Sequence, residues 1–237
     1  MVRMDDRFTA VLAGLRDGDV ETVDLSAPFL LFFPVNGATV ATVGPVMGNE
    51  TVSATNDVAR RLDEVQFDLG EGPCWDALGQ SEPVVERDFF RNGPRRWPSL
   101  YSAVRGEQIG SIFAFPLTVG PLRVGAVDLY ARIPMELDEA QQQRASALAA
   151  AVAQRVVREA LASDTAHSLP ETPYSRRIVH QATGVVLAQV DVTPEDALLL
   201  IQTHAFSAGL SMMELSEQIL AREVAFVRTN GRIEVES

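Results

Sequence analysis

Residues 175–226 read SRRIVHQATGVVLAQVDVTPEDALLLIQTHAFSAGLSMMELSEQILAREVAF, and they hold the clearest helix signals in the chain. At the front, Ile178, Ala182, Val185 and Val186 fall at i, i+4, i+7 and i+8, the spacing of one apolar helical face. After Asp191 comes Thr193-Pro194-Glu195-Asp196. Thr193 has an N-capping side chain, Pro194 suits a first helical turn, and the two acids face the positive end of the dipole. A second helix is predicted there, with Ala197, Leu200, Ile201, His204, Ala205 and Ala208 along one face and Gly209 placed to close it. Ser211 and Glu214 form an S-x-x-E capping box, and Leu210 and Leu215 fit its hydrophobic staple, so a third helix is predicted to residue 222 or 224. Three helices this short are marginal alone and lean on a neighbour.

The run from Ser175 to Gly184, the Pro194-Glu195-Asp196-Ala197-Leu198 start and the capping box resemble an ANTAR domain over residues 175–228. The resemblance implies a three-helix RNA-binding module of a bacterial transcription antiterminator, usually fused to a sensor. Its candidate RNA-binding residues here are Arg176, Arg177, Gln181, Thr183 and Gly184. Arg176 and Thr183 stand seven residues apart, about two turns, so they are expected to share a face. An Arg for phosphate with amides or hydroxyls for base edges would make an RNA surface; the plain alternative is a solvated helix face. Many relatives carry Lys where this chain has Thr183, and a basic residue where it has Met213. Residues 171–237 contain five Arg (176, 177, 222, 228, 232) and nine acids (171, 191, 195, 196, 214, 217, 223, 234, 236), a net charge of 5 − 9 = −4. Any phosphate contact by such a module is local.

Composition narrows the field. The 237 residues are 46% hydrophobic, enough for one large or two modest domains with a sizeable core. Net charge is −12, and all twenty basic residues are Arg. That acidity argues against general adhesion to nucleic acid or to anionic membranes. Residues 1–14 are charged and amphipathic without an apolar core, so no secretory signal is expected, and no apolar run reaches the roughly 20 residues of a membrane span. One Cys excludes an intrachain disulfide and a Cys-rich metal site and fits a reducing cytoplasm. No metal or cofactor is expected.

Outside the opening stretch, residues 5–15 read as an amphipathic helix and residues 28–33 as a short helix stopped by Pro34. Strands are predicted at 38–43, 51–54, 84–85, 112–117 and 123–130, with helices from Asn56 to about residue 66, from Pro73, and over 97–104. Strands and helices that do not strictly alternate indicate an α+β domain on an antiparallel sheet. The segments FDLGEGPCWDAL, IFAFPLTVG and RVGAVDLY, in this order, resemble a GAF domain. Residues 138–163 form a long Ala-rich helix whose apolar stripe is too wide for one coiled-coil seam, so part is expected on the sheet and part on a second copy, making a homodimer. The expected organisation is a sensor with its connecting helix at 5–162, a linker at 163–174 and the output module at 175–228.

Trp75, Tyr101, Phe113 and Phe115, with Phe89 and Trp97, are candidates to line a cavity for a small-molecule signal; the alternative is ordinary core. Cys74 lies in a Gly-rich loop at a helix start, where a thiol can become reactive, or it is a small buried residue. A thiol enzyme needs a base or a resolving Cys, and the chain has no second Cys. Glu71, Asp76 and Asp128 read as turn and surface residues, and His180 and His204 as solvated or capping residues. The ANTAR and GAF resemblances, with no catalytic constellation beside them, imply a non-enzymatic regulator whose output module binds a stem-loop in a nascent transcript. Its rivals are a regulator that binds protein instead of RNA and, further off, a thiol-based enzyme on the sensor fold.

Overall fold

A computed structural model describes residues 4–17, 24–43, 49–162, 176–229 and 231–236, and the chain divides into two units, residues 1–174 and 175–237. The predicted linker at 163–174, which includes His167, and Ser175 at the start of the output module lie outside the described residues.

In the first unit the described elements run α1 (Met4–Asp17), α2 (Ala27–Phe32), β1 (Gly37–Thr42), β2 (Glu50–Ala54), α3 (Asp57–Leu69), α4 (Pro73–Gln80), β3 (Val84–Glu86), α5 (Phe89–Arg96), α6 (Pro98–Ala103), β4 (Ser111–Val119), β5 (Leu122–Ala131) and α7 (Glu139–Ala162). The strands pair antiparallel in the order β2-β1-β5-β4-β3. Because side chains alternate along a strand, the sheet has two unlike faces. Ala38, Val40, Phe113, Phe115, Val127 and Leu129 meet Leu148, Val152 and Val156 of α7 in one continuous apolar core that also takes in Leu15 and Phe29. Thr39, Ile112, Ala114, Ala126, Asp128 and Tyr130 lie on the other face, under α3 to α6, and there the core is partly polar.

Local chemistry sets the element boundaries. Asn56 caps α3 by accepting from the Ala59 amide at 2.9 Å, and Gly70, at φ +61°, ends that helix in the left-handed conformation. Asp88 accepts from the Arg91 amide at 3.1 Å and starts α5, a helix the sequence reading passes over because Pro94 sits inside it. Most of the wide stripe of α7 is covered within one chain: Ala145, Leu148, Ala149, Val152, Ala153 and Val156 are buried, while Leu161 at the far end is 80% exposed.

The second unit contains α8 (Arg177–Val190), α9 (Pro194–Ala208), α10 (Met212–Leu220) and a hairpin of β6 (Ala225–Thr229) and β7 (Arg232–Glu236). Thr193 caps α9, accepting from the Asp196 amide at 3.2 Å. Ser211 and Glu214 close the capping box of α10 in both directions, at 3.1 and 2.8 Å. The buried face of α8 is Val179, Ala182, Val186 and Val190; Ile178 and Val185, expected there, are half-buried. On α9, Ala197, Ile201 and Ala205 are buried, whereas Ala208 is exposed.

The module is thus three helices plus a hairpin. Where a helical tail to residue 222 or 224 is predicted, α10 stops at Leu220 and Arg222 turns the chain at φ +62°. The hairpin's signal is Asn-Gly at 230–231 between segments of alternating apolarity, Phe226 on one side and Ile233 and Val235 on the other. It is fastened to α8. The Phe226 amide donates to Gln189 Oε1 at 3.0 Å, and the Arg228 guanidinium donates twice to the Val190 carbonyl, at 3.2 and 2.7 Å. That carbonyl is one of the groups a helix end leaves without an intrahelical partner. Arg228→Ala is expected to lower the stability of this unit by about 1 kcal/mol, read as a lower urea midpoint at unchanged slope. An unmoved midpoint would show that the hairpin does not clamp α8.

Candidate nucleic-acid interface and polar sensor core

Burial sorts the candidate residues of α8 by helical phase. Arg177, His180, Gln181, Gly184 and Ala188 are exposed and follow one another at steps of 3, 1, 3 and 4, so they form a single outward row. Arg176 does not join them: it is 8% exposed at the N-cap of α8. Thr183 is half-buried, and its hydroxyl donates to the Val179 carbonyl one turn back at 2.8 Å. The face expected to be shared by Arg176 and Thr183 is therefore the one turned toward the core. His180, read from sequence as merely solvated or capping, stands within the row. Gly184 has open space where a Cβ would point, so packing does not require a glycine there. A mid-helix glycine costs roughly 0.5–1 kcal/mol relative to alanine.

The partly polar face of the first unit converges on Gln66. Its Nε2 donates to Asp128 Oδ2 at 2.5 Å, its Oε1 accepts from the Cys74 amide at 3.0 Å, and its backbone carbonyl accepts from Trp75 Nε1 at 2.7 Å. Beside it, the Thr51 hydroxyl donates to Asp63 Oδ2 at 2.5 Å. Asp128 is only 4% exposed, and its cross-strand partner on β1 is Thr39, also buried. The surface position expected for Asp128 is thus corrected. On an edge it would be a solvated acid, but β5 is the central strand and α3 lies over it. Burial first, and the nearby Asp63 second, push its carboxyl up from the ordinary 3.8 to about 8, against the opposing hydrogen bond from Gln66.

Glu71 and Asp76 are structural acceptors as well. Glu71 Oε1 takes the amides of Ser99 and Leu100 at 2.9 and 3.1 Å, which caps the start of α6. Asp76 Oδ2 accepts from Trp97 Nε1 at 3.1 Å. These pairings span more than twenty residues of sequence, beyond the reach of local motif reading.

The four aromatic pocket candidates do not converge. Phe113 and Phe115 are fully buried in the apolar core on the α7 side of the sheet. Trp75 packs with Cys74, Leu78 and Ala126 on the opposite side, edge-on to Phe67 at 5.3 Å between ring centroids. Tyr101 contacts Phe89 at 5.5 Å and lines a small surface cleft with Phe90, Arg105 and Glu107. Strand alternation, which a list of aromatics does not capture, sends 113 and 115 away from 112 and 114. Cys74 is 3% exposed. Among the described residues no cluster of three or more His, Cys, Asp or Glu is placed to hold a metal ion, and no helix is long and apolar enough to cross a membrane.

The chain thus combines a five-stranded antiparallel sheet between two helical layers with a second unit of three helices and a hairpin. The GAF domain model matches residues 19–157 and the ANTAR domain model residues 168–220. The chain belongs to the GAF domain family and carries an ANTAR domain behind its sensor, the make-up of a signal-responsive regulator. No curated protein sequence matches it. Among solved structures, the GAF domain of an Acinetobacter phosphoenolpyruvate-protein phosphotransferase is 14% identical, covers 70% of this chain and 99% of its own, and superposes with a TM-score of 0.51. Free methionine-R-sulfoxide reductase from Neisseria meningitidis is 15% identical over 68% of this chain and 95% of its own, at 0.47. The first of these likenesses shows the shared sensor fold.

The raised carboxyl of Asp128 predicts a pH dependence with a definite sign. The unfolded chain holds that proton only below about pH 4 and the folded chain holds it to about 8, so folding takes up a proton between these values. Stability from this group is complete below the lower value and declines as pH rises toward 8. Asp128→Asn, always neutral, is expected to flatten the decline in urea melts taken from about pH 5 to about 8. An unchanged profile would mean that Asp128 is ionised in the folded protein.

Proposed function

We propose that this protein binds stem-loops in nascent transcripts through the outward row of α8 and acts as a transcription antiterminator in the cytoplasm. The observation that carries the reading is the juxtaposition of Arg177, His180, Gln181 and Gly184 on one solvent-facing strip. Arg177 supplies a phosphate contact and Gln181 and His180 supply groups for base edges. Gly184 lets a nucleotide approach the helix backbone without meeting a side chain. The ANTAR match over residues 168–220 supports the same assignment. A small-molecule signal in the sensor is part of this proposal, and its natural point of action is the polar network under α3. The protein works as a homodimer in this reading, with Val157, Ala160 and Leu161 at the end of α7 as the apolar surface left for a second copy.

A pool of RNA hairpins with randomised loops tests the central claim. Wild-type protein is expected to enrich particular loops. Gln181→Ala should change which loops are preferred, and Arg177→Ala should weaken all of them to a similar degree. Gly184→Ala gives the sharpest contrast: helix stability should rise by roughly 0.5–1 kcal/mol while hairpin affinity falls. If affinity is untouched, the strip is an ordinary solvated helix face. For the dimer, light scattering is expected to return about twice the 25.8 kDa chain mass. A single-chain mass at tens of micromolar would remove that part of the proposal.

A second reading has its own observation. Leu199 and Phe206 on α9 are 55% and 68% exposed, and an apolar pair on an acidic module suits a protein partner. Failure to enrich any loop, together with intact folding, would favour it. A thiol enzyme has the least support, since the single Cys is buried and its amide is committed to Gln66.

A further inference from the structure

The densest run of arginine in this acidic chain lies in the sensor, not in the output unit, and Glu86 and Glu107 flank it. Residues 87–105 carry Arg87, Arg91, Arg95, Arg96 and Arg105 against Asp88 alone, a local charge of 5 − 1 = +4 in a chain of −12. Two of these arginines have structural work. Arg87 pairs with Glu136 at 2.9 Å; Arg96 pairs with Glu86 at 3.0 Å and lies 4.1 Å from the centroid of the Trp97 ring. Arg91, Arg95 and Arg105 are exposed, and among the described residues none of them enters an ion pair. Helix α5 turns Phe89 and Gly93 inward, so Arg91 and Arg95 stand one turn apart on its outer side.

Next to Arg91 is Phe90, 46% exposed, which lines the small cleft together with Tyr101, Arg105 and Glu107. An exposed aromatic between unpaired guanidinium groups is the arrangement by which proteins hold single-stranded nucleic acid: bases stack on the ring and arginines follow the phosphates. The output unit, residues 175–237, carries 5 − 8 = −3 and is poor in such charge, and Arg228 there is already engaged by Val190. We infer that the α5 surface of the sensor, through Phe90, Arg91, Arg95 and Arg105, binds unpaired RNA flanking the hairpin read by α8. This rests on the RNA-binding reading and assigns the sensor a direct share in it. Loop identity is read by the output unit, and most of the salt-dependent affinity comes from the sensor.

The test uses the full chain and two probes: the tightest hairpin recovered from the randomised pool, and the same hairpin with a single-stranded tail of about ten nucleotides. Wild-type protein should bind the tailed probe more tightly and with a steeper salt dependence. In Arg91→Gln/Arg95→Gln the slope of log affinity against log salt should become shallower by about 1.4, two contacts at about 0.7 each, and the advantage of the tail should shrink. Phe90→Ala should weaken the tailed probe without altering that slope. Arg123→Gln/Arg132→Gln makes the same charge change elsewhere on the sensor and should leave both probes unaffected.

Equal affinities for the two probes in wild type, or an unchanged slope in the double variant, would overturn the inference while leaving hairpin recognition by α8 standing. Tighter RNA binding by the double variant would also overturn it. Absence of hairpin binding by wild type would instead remove the RNA reading itself.

Discussion

The side-chain amide of Gln66 is the contact on which the polar half of the sensor depends. One group joins three elements: its nitrogen reaches Asp128 on β5, its oxygen takes the first free amide region of α4 at Cys74, and its own position is set by α3. An uncharged carboxamide can donate to an acid through its nitrogen and accept from a backbone amide through its oxygen, on two separate atoms. The surrounding sequence follows from that geometry. Gly70 ends α3 in a left-handed turn, and Gly72 adopts φ +146°, where a Cβ would run into the Gln66 side chain. Pro73 then opens α4. The segment at 66–76, whose single Cys invites a chemical interpretation, is explained at each of these positions by the need to bring a helix start against one buried amide.

The two faces of the sheet divide the cost of folding unequally. Against α7 the contacts are apolar and their strength depends on area and fit. Under α3, Asp128 is bonded to Gln66 and Thr51 to Asp63, directional bonds that lose most of their value when misaligned.

Local signals in the sequence were sufficient wherever the controlling atoms lie within one turn. Asn56, Thr193, the Ser211–Glu214 box and Pro73 each placed a helix start within a residue or so of where it stands. The antiparallel sheet was legible from alternating β-branched runs, two of them joined through Gly120 at φ +57°. What escaped depends on longer range or on phase. Pro94 disguised α5, and the Asn-Gly hairpin is the exception, local in its signal but beyond the run of three capped helices. Arg176 and Thr183 satisfied a spacing argument that fixes which residues share a face but not whether that face looks outward. Asp128 looked like an isolated acid because Gln66, its partner, is 62 positions away.

The clamp between Arg228 and the last carbonyl of α8 also orders events in time. Val190 and Arg228 are 38 residues apart, so on the ribosome α8 emerges well before the arginine that finishes its end. Until then the helix has an open terminus and an incomplete partner surface, since Phe226 of the same strand belongs to the buried cluster against which α8 packs. The strip of α8 thus reaches its final rigidity only when the hairpin has been synthesised. A nascent or clipped chain would carry every residue of that strip and still present it on a fraying support.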